Sequence, residues 1–423
     1  MFLLKIFTSL IVIFISIFIS LLFIETYLYF DGRYESQINQ KFLPANTINK
    51  RYPNIIEYEK HPDLNIYMPH IYDSYGIKNH SKLELSEIEQ VIGFFGDSFT
   101  ENRRISDEFS FTNYLNDFLK SQNIVNFGVD GFGMDQSFQN YLNFYKKFKF
   151  KKIIYVFCEN DLKNLYEVNL FKINNKNELE NRYIDFNKLE KTLLDYVYTF
   201  STNFRITYLI LEAYLVYQER WHPSARDSLS EKMLNRIANP SRRDYFSRYL
   251  DSNANSMSRD FLSDDPSSLT MEIAKKFLFI LGEWKKHAEG EDYEFYVAVL
   301  PRDKDRLVFK KILSLDKKNN LENLNFFFLP KAKESFPSEN FSSRFNYNNH
   351  WNELGNLATL RTFIESLELV KEINNIELYN YENRKIKEII KFYKKNGKTL
   401  RNFDAVGPNY DAKHPEYNIL FRW

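Results

Sequence analysis

Five short apolar runs limit what this chain can fold into more than any other feature of its sequence. Each run is rich in β-branched or aromatic residues and lacks polar alternation, as expected for strands buried on both faces of a parallel sheet. Helical patterns separate the early runs, and this alternation predicts a doubly wound α/β/α sandwich with a mainly parallel, five-stranded sheet. The predicted strands are residues 91–95, 124–128, 153–158, 295–300 and 324–329.

The helical patterns consist of apolar residues that recur every three or four positions. Together with the five strands they predict an open sheet of flavodoxin-like type, with helices on both faces. A further amphipathic pattern near residues 381–395 predicts a helix in the C-terminal part of the chain. The four patterns between or after the strands lie at residues 107–122, 135–150, 271–287 and 353–369.

A polar motif, Gly96-Asp97-Ser98-Phe99-Thr100, directly follows the first predicted strand. Open α/β sheets bind their ligands at the carboxyl ends of the strands, where a strand-to-helix loop would place Ser98. Backbone N–H groups in such a loop can stabilise an oxyanion. Ser98 is therefore a candidate nucleophile, provided that a base and further oxyanion donors follow it in the sequence.

Three later motifs supply those groups, and with the first they resemble the GDSL/SGNH hydrolase family. They are Asn126-Phe127-Gly128-Val129-Asp130-Gly131, Glu159-Asn160-Asp161 and His350-Trp351-Asn352-Glu353-Leu354-Gly355. All four occur in the family's order, each at the end of a predicted strand or the start of a helix. The resemblance covers roughly residues 88–369, with a long insertion at about 165–268.

The resemblance implies a chemical role for four residues. Ser98 would be the nucleophile and His350 the base that it needs, since a serine hydroxyl is a poor nucleophile at neutral pH. The backbone N–H groups of Ser98 and Gly131 and the amide of Asn160 would form the oxyanion hole. The family suggests an ester-linked acyl group on a surface carbohydrate or lipid, which is either hydrolysed or transferred to another hydroxyl.

The sequence departs from the family pattern just before the histidine. The family often has an Asp two or three residues earlier, where this chain has Asn348 and Tyr347. Asn348 is a candidate orienting residue for His350, but an amide cannot balance the charge of an imidazolium. A carboxylate from elsewhere, such as Glu334, could replace it, or a backbone carbonyl could orient the ring of a Ser–His pair. The alternative is a non-catalytic protein of the cell envelope that binds glycan or lipid.

The N-terminal part of the chain predicts a membrane helix. Residues 6–24 carry no charge and are numerous enough to span a bilayer core. No small-x-small cleavage site follows, which favours an uncleaved membrane anchor over a cleaved signal peptide. The basic residues Lys5, Arg33 and Lys41 flank the span on both sides and do not decide its orientation. The family resemblance implies a catalytic domain outside the cytoplasm.

Composition excludes several classes of function. With 57 basic and 56 acidic residues the net charge is +1, so we expect no nucleic-acid partner. The single cysteine, Cys158, excludes an intrachain disulfide and a multi-cysteine metal site. None of the six histidines other than His350 pairs with another His or Cys at metal-ligand spacing, so we expect no metal and no cofactor.

The same patterns predict the domain organisation. We expect a transmembrane anchor at 1–30, a connector at 31–86 that packs partly on the catalytic domain, the catalytic domain at 87–372 and an extension at 373–423. Within the insertion, the Ser-, Asp- and Asn-rich composition of residues 242–268 predicts a surface loop. An active-site lid and an inert elaboration are both compatible with an insertion of this length.

Overall fold

The computed structural model divides into two compact units. The first comprises Met1–Asn49, Ile184–Leu250 and His414–Trp423, and the second comprises Lys50–Tyr183 and Asp251–Lys413. The described residues are 2–31, 56–64, 66–78, 90–176, 178–181, 206, 252–316, 321, 323–336, 350–371 and 373–398.

The first unit contains one long apolar helix, α1 (Phe2–Asp31). Its segment Phe7–Leu28 is 22 residues long with a mean hydropathy of 2.8, which is long and apolar enough to cross a membrane. The hydroxyls of Ser16 and Ser20 donate to carbonyls four residues earlier, at 2.8 and 2.9 Å. These polar groups are thus satisfied within the helix, as a membrane interior would require.

The described strands of the second unit are β1 (Ile56–Lys60), β2 (Tyr67–Ile71), β3 (Val91–Gly96), β4 (Asn123–Asn126), β5 (Phe150–Phe157), β6 (Phe171–Ile173), β7 (Leu179–Asn181), β8 (Glu294–Val299) and β9 (Asn325–Phe328). Five of them form a parallel sheet in the order β4-β3-β5-β8-β9. An antiparallel pair, β1–β2, precedes this sheet in the chain, and another, β6–β7, follows β5. The sheet confirms the predicted doubly wound architecture.

Helices cover both faces of the five-stranded sheet. The predicted helix at 353–369 is divided in two at Thr359, whose hydroxyl donates to the Asn356 carbonyl at 2.8 Å. The described helices of this unit are α2 (Ser98–Glu101), α3 (Phe111–Leu119), α4 (Met134–Phe144), α5 (Asp161–Val168), α6 (Ser252–Leu262), α7 (Ser268–Gly290), α8 (Asp303–Leu313), α9 (Ala332–Ser335), α10 (Glu353–Ala358), α11 (Leu360–Ser366) and α12 (Asn375–Lys395), with a 3-10 helix at Asp107–Phe109.

Two apolar clusters, one on each side of the sheet, form the core. The first includes residues of α4, α6, α7 and α8, with Trp284 fully buried at its centre. The second includes residues of α3, α10, α11 and α12 and the strand residues Ile92 and Phe94. Because neighbouring residues of a strand point to opposite faces, a run that is apolar throughout supplies both clusters.

The prediction of a surface loop at 242–268 is wrong for part of that range. Residues Ser252–Leu262 form helix α6, in which Met257 and Phe261 are buried. These two residues lie four positions apart, so one face of a polar segment reaches the first cluster. Tertiary packing therefore stabilises a helix that composition alone did not predict. Residues 242–251 lie outside the described part of the chain.

Segments before and after the predicted catalytic domain also contribute to the second unit. Leu64, between β1 and β2, is buried in the second cluster, and so are Leu378 and Ile389 of α12. His61 donates from Nε2 to Glu353 Oε1 at 2.8 Å, while Tyr393 donates to Glu353 Oε2 at 2.9 Å. Backbone N–H groups at Asp63 and Leu64 donate to His61 Nδ1, which fixes the tautomer that carries hydrogen on Nε2. This buried network holds the start of α10.

Candidate active site

Ser98 lies where β3 ends and α2 begins, at the carboxyl edge of the sheet. Asp97 caps this short helix, because its side chain accepts from the Phe99 N–H at 2.9 Å. A side chain at Gly96 would place its Cβ 2.8 Å from the Val156 carbonyl oxygen, so only glycine fits there. The loop therefore packs tightly against β5 and presents Ser98, which is 7% exposed.

The structure brings Ser98 and His350 together across 252 positions of sequence. Ser98 Oγ is 2.6 Å from His350 Nε2, which is hydrogen-bonding distance. His350 is partly buried and precedes α10, whose first turn is capped by the Asn352 side chain. With Nε2 unprotonated, the Ser98 hydroxyl donates to it, which is the arrangement that activates a serine.

The imidazole of His350 stacks on the ring of Phe99. The two ring centroids are 4.6 Å apart and the ring planes are inclined by 21°. Trp351 meets the edge of Phe99 at 5.5 Å, and the Arg302 guanidinium carbon lies 5.3 Å from its centroid. Sequence reasoning assigned no role to Phe99 or Arg302. The only signal was their position, since Phe99 follows Ser98 directly and Arg302 follows β8.

The sequence suggested two residues that could orient His350, Asn348 and Glu334. Asn348 and its neighbour Tyr347 lie outside the described residues, so their relation to the imidazole stays a prediction. Glu334, the alternative carboxylate, accepts from the Lys331 N–H at 2.8 Å and lies 3.9 Å from Arg306. Its described contacts are thus made with the Lys331 backbone and the Arg306 guanidinium and not with His350.

The three predicted oxyanion donors follow three adjacent strands, β4, β3 and β5. Gly131 lies in the turn after β4 with a φ of +79°, a conformation that favours glycine. Among the described residues, neither the Gly131 N–H nor the Ser98 N–H has a hydrogen-bond acceptor. Asn160 Nδ2 donates to Asp97 Oδ2 at 3.2 Å, which leaves its second hydrogen for another acceptor.

Two carboxyl groups shape these loops from inside the protein. Burial raises the pKa of Asp97 to about 6, against the opposing effect of its bonds from Phe99 and Asn160. Burial also raises the pKa of Asp161, whose Oδ2 accepts from the Tyr155 hydroxyl at 2.6 Å and the Cys158 N–H at 2.9 Å. Both side chains are fully buried and bond to loop atoms, as expected of groups that hold a loop.

Glu101 connects the loops that carry Ser98 and Gly131. It is fully buried, and its carboxylate accepts from the Asp130 N–H at 2.5 Å and the Tyr72 hydroxyl at 2.8 Å. Lys78 donates to the Glu101 carbonyl at 3.1 Å. Asp130 directly precedes Gly131, so Glu101 fixes that turn relative to α2. Tyr72 and Lys78 come from the segment predicted to be a connector that packs partly on the catalytic domain, but the sequence did not single out either residue.

Within the described residues, no group of three or more acidic, histidine or cysteine side chains is placed to hold a metal ion. Burial raises the pKa of the Cys158 thiol, which disfavours the thiolate. His61 and His70 are both buried in hydrogen-bonded pairs with carboxylates, Glu353 and Asp107 respectively.

Comparison with solved structures found matches of low similarity. A member of the lipolytic protein G-D-S-L family from Veillonella parvula has a TM-score of 0.32 and 9% identity, over 65% of this chain and 97% of that one. A catalytic mutant of an acetylxylan esterase from Geobacillus stearothermophilus has a TM-score of 0.31 and 9% identity, over 68% and 100%. The chain has no match among curated proteins.

A family model gives the more direct assignment. The model of GDSL-like lipases and acylhydrolases matches residues 92–265. The matched segment contains Ser98, Gly131 and Asn160 and ends before His350. The match agrees with the motifs found in the sequence and with the parallel sheet that carries them. The predicted resemblance is thereby confirmed: residues 92–265 match the model of GDSL-like lipases and acylhydrolases.

Proposed function

We propose that this protein is a serine hydrolase that cleaves an ester-linked acyl group, with Ser98 as nucleophile and His350 as general base. The observation that carries the proposal is the 2.6 Å distance between Ser98 Oγ and His350 Nε2. A base must lie within hydrogen-bonding reach of the proton that it removes, and this one does. The family match to lipases and acylhydrolases supports the same class of reaction.

In the first half of the reaction, the hydroxyl proton of Ser98 passes to Nε2 of His350 while Oγ bonds to the ester carbonyl carbon. The carbonyl oxygen becomes an oxyanion that accepts from the Ser98 and Gly131 N–H groups and from Asn160 Nδ2. Donors set in place before the reaction stabilise this charge, and one donor contributes about 3 kcal/mol. The tetrahedral intermediate then breaks its bond to the alcohol oxygen, which takes the proton from His350.

In the second half, the acyl group on Ser98 Oγ is released. A water molecule gives a proton to His350 Nε2 and attacks the acyl carbon, and the proton then returns to Oγ as the carboxylic acid leaves. If the hydroxyl of a sugar takes the place of water, the same steps transfer the acyl group and make the protein an O-acyltransferase. Both outcomes use the same residues.

The proposed substrate is an acylated carbohydrate or lipid at the cell surface. Helix α1 supports a single-pass membrane location by its length and composition. We place the hydrolase domain outside the cytoplasm, where such esters occur in the cell envelope. A domain attached to the membrane meets envelope esters at a high local concentration.

A fluorophosphonate probe tests the nucleophile on the full-length protein in mild detergent. We expect covalent labelling that disappears in Ser98→Ala and persists in Ser137→Ala, which alters a buried serine of α4. We also expect His350→Ala to slow labelling strongly, since the base is lost. A panel of acyl esters, assayed with the unmodified protein, then identifies the acyl length.

Failure to label the folded protein would contradict the proposal. It would favour the alternative of a protein that binds glycan or lipid without turnover. Labelling of Ser98 without hydrolysis of any ester in water, but with acyl transfer to an added sugar, would instead identify the transferase.

A further inference from the structure

We propose that Phe99 is a positioning residue, which orients the imidazole of His350 toward Ser98 Oγ and stabilises its protonated form. This inference rests on the proposed function, since it concerns the base of that reaction. It also addresses the departure from the family pattern before His350, where Asn348 stands at a position that often holds an Asp. The evidence is the contact between the two rings, with centroids 4.6 Å apart and planes inclined by 21°.

Phe99 is itself held firmly. Its side chain is 5% exposed and belongs to the second apolar cluster. Its N–H donates to Asp97 Oδ1 at 2.9 Å, and Trp351 packs against its edge at 5.5 Å. A ring with this little freedom restricts the tilt of the imidazole stacked on it. Because stacking leaves the imidazole nitrogens at the rim, Nε2 stays available for Ser98.

The position of Phe99 in the chain makes this contact effective. Phe99 is the residue after Ser98, so the ring and the Oγ atom belong to the same turn of α2. Any small shift of α2 therefore moves the aromatic ring and the hydroxyl together. If the imidazole of His350 moves with the Phe99 ring, the distance from Nε2 to Ser98 Oγ stays constant, as proton transfer requires.

The ring also has an electrostatic effect on the charge that His350 acquires. The face of a benzene ring carries negative potential, and a cation placed on it is stabilised. His350 becomes an imidazolium when it takes the Ser98 proton, so the contact is stronger in the transition state than in the resting enzyme. Interactions that strengthen in the transition state raise kcat.

The guanidinium of Arg302 also lies near this ring. Its guanidinium carbon lies 5.3 Å from the Phe99 centroid. The guanidinium is held there by two hydrogen bonds of 2.6 Å to the Asp305 carboxylate, and it donates to Cys158 Sγ at 2.8 Å. The ion pair with Asp305 opposes the charge of Arg302, which limits its repulsion of the imidazolium.

The first test compares three variants of the full-length protein in an ester hydrolysis assay. Phe99→Leu keeps an apolar side chain without a π face, and we expect kcat to fall about 3- to 30-fold, the range set by cation–π contacts, with little change in KM. Phe99→Tyr retains the ring and should restore kcat to within about twofold. Phe111→Leu is the control, because Phe111 is buried in the same cluster without contacting His350. It should leave the kcat per labelled serine unchanged.

The second test keeps the shape of the side chain and so keeps the fold. Fluorinated phenylalanines incorporated at position 99 withdraw charge from the ring face in steps. We expect kcat to decrease with each added fluorine, while fluorophosphonate titration shows the same number of active serines. The same fluorination at Phe111 should have no effect on kcat.

The outcomes separate this inference from the proposed function. If the wild-type protein is not labelled and does not hydrolyse esters, both the proposed function and the role of Phe99 are refuted. A wild-type protein that is active, with Phe99→Leu or the fluorinated forms equally active, overturns the role of Phe99 alone. An equal loss of kcat in Phe99→Leu and Phe99→Tyr would also overturn it, since one of them retains the ring.

Discussion

Asp97→Asn should make the protein more stable at neutral pH and yet slower as an enzyme. The wild-type carboxylate caps α2 and accepts from Asn160 Nδ2 at 3.2 Å, but it is completely buried. A carboxamide keeps an oxygen for the Phe99 N–H and carries no charge. It turns an NH₂ group toward Asn160, however, so the Asn160 amide loses its acceptor and rotates.

The size of the stability effect follows from the pKa of Asp97. That pKa is about 6 in the folded protein and 3.8 ordinarily, so the folded state binds more protons between these values. The free energy of unfolding of the wild type therefore falls as the pH rises from about 4 to about 6. A pKa shift from 3.8 to about 6 lowers the free energy of unfolding of the wild type by about 3 kcal/mol at neutral pH. Asp97→Asn has no carboxylate to ionise, so its free energy of unfolding is not lowered in this way.

Urea unfolding of both proteins in mild detergent, followed by tryptophan fluorescence, measures the effect between pH 4 and pH 7. The difference in unfolding free energy, variant minus wild type, should grow by about 2 kcal/mol over this range, since part of the effect is already present at pH 4. Lost hydrogen bonds change little with pH and cancel in this comparison. In parallel, kcat for ester hydrolysis should fall at least about tenfold, because Asn160, the proposed oxyanion donor, is misdirected.

A stability difference that does not vary with pH would refute this reasoning, since it would mean that Asp97 titrates alike in the folded and unfolded chain. An unchanged kcat would show that Asn160 keeps its orientation without Asp97. The two readouts are independent, because stability depends on the buried charge and kcat depends on the direction of the Asn160 amide.

Three further predictions concern residues around the candidate site. Asn160→Ala should lower kcat about 100- to 1,000-fold with little change in KM, whereas the control Asn164→Ala, which alters a buried residue of α5, should leave kcat unchanged. Steady-state ester hydrolysis measures both variants, and equal values of kcat would exclude Asn160 from the oxyanion hole. Glu101→Gln places an NH₂ group against the Asp130 N–H or the Tyr72 hydroxyl, and should lower the unfolding free energy by about 1–3 kcal/mol together with kcat. Tyr393→Phe removes one bond to Glu353 and should cost about 1 kcal/mol in thermal or urea unfolding, with kcat per labelled serine preserved.

The sheet could be predicted because buried parallel strands leave a local signal. Each strand must be apolar on both faces, so β3, β5 and β8 appear as uninterrupted apolar runs, and their observed bounds lie within three residues of prediction. Helix α6 could not be predicted in this way. Its apolar face consists of Met257 and Phe261 among polar residues, and only the first cluster makes it a helix.

The residue types at the ends of the strands could also be predicted from the sequence, since Ser98, Gly131 and Asn160 each follow a strand of one parallel sheet. Hydrogen bonds between side chains that are distant in the sequence could not be predicted. The bond from Tyr72 to Glu101 joins residues 29 apart, and that from Tyr393 to Glu353 joins residues 40 apart. Neither has a local pattern, because burial of both partners depends on how the flanking segments pack.

By itself, the sequence determined the order of strands and helices, the apolar helix at the N-terminus and the chemical groups at the carboxyl edge of the sheet. These properties are local, since they depend on side-chain type and spacing along the chain. Only the tertiary structure decided that Ser98 and His350 meet at 2.6 Å and that Phe99 lies under the imidazole. Such distances depend on the packing of loops 252 residues apart, which no spacing in the sequence encodes.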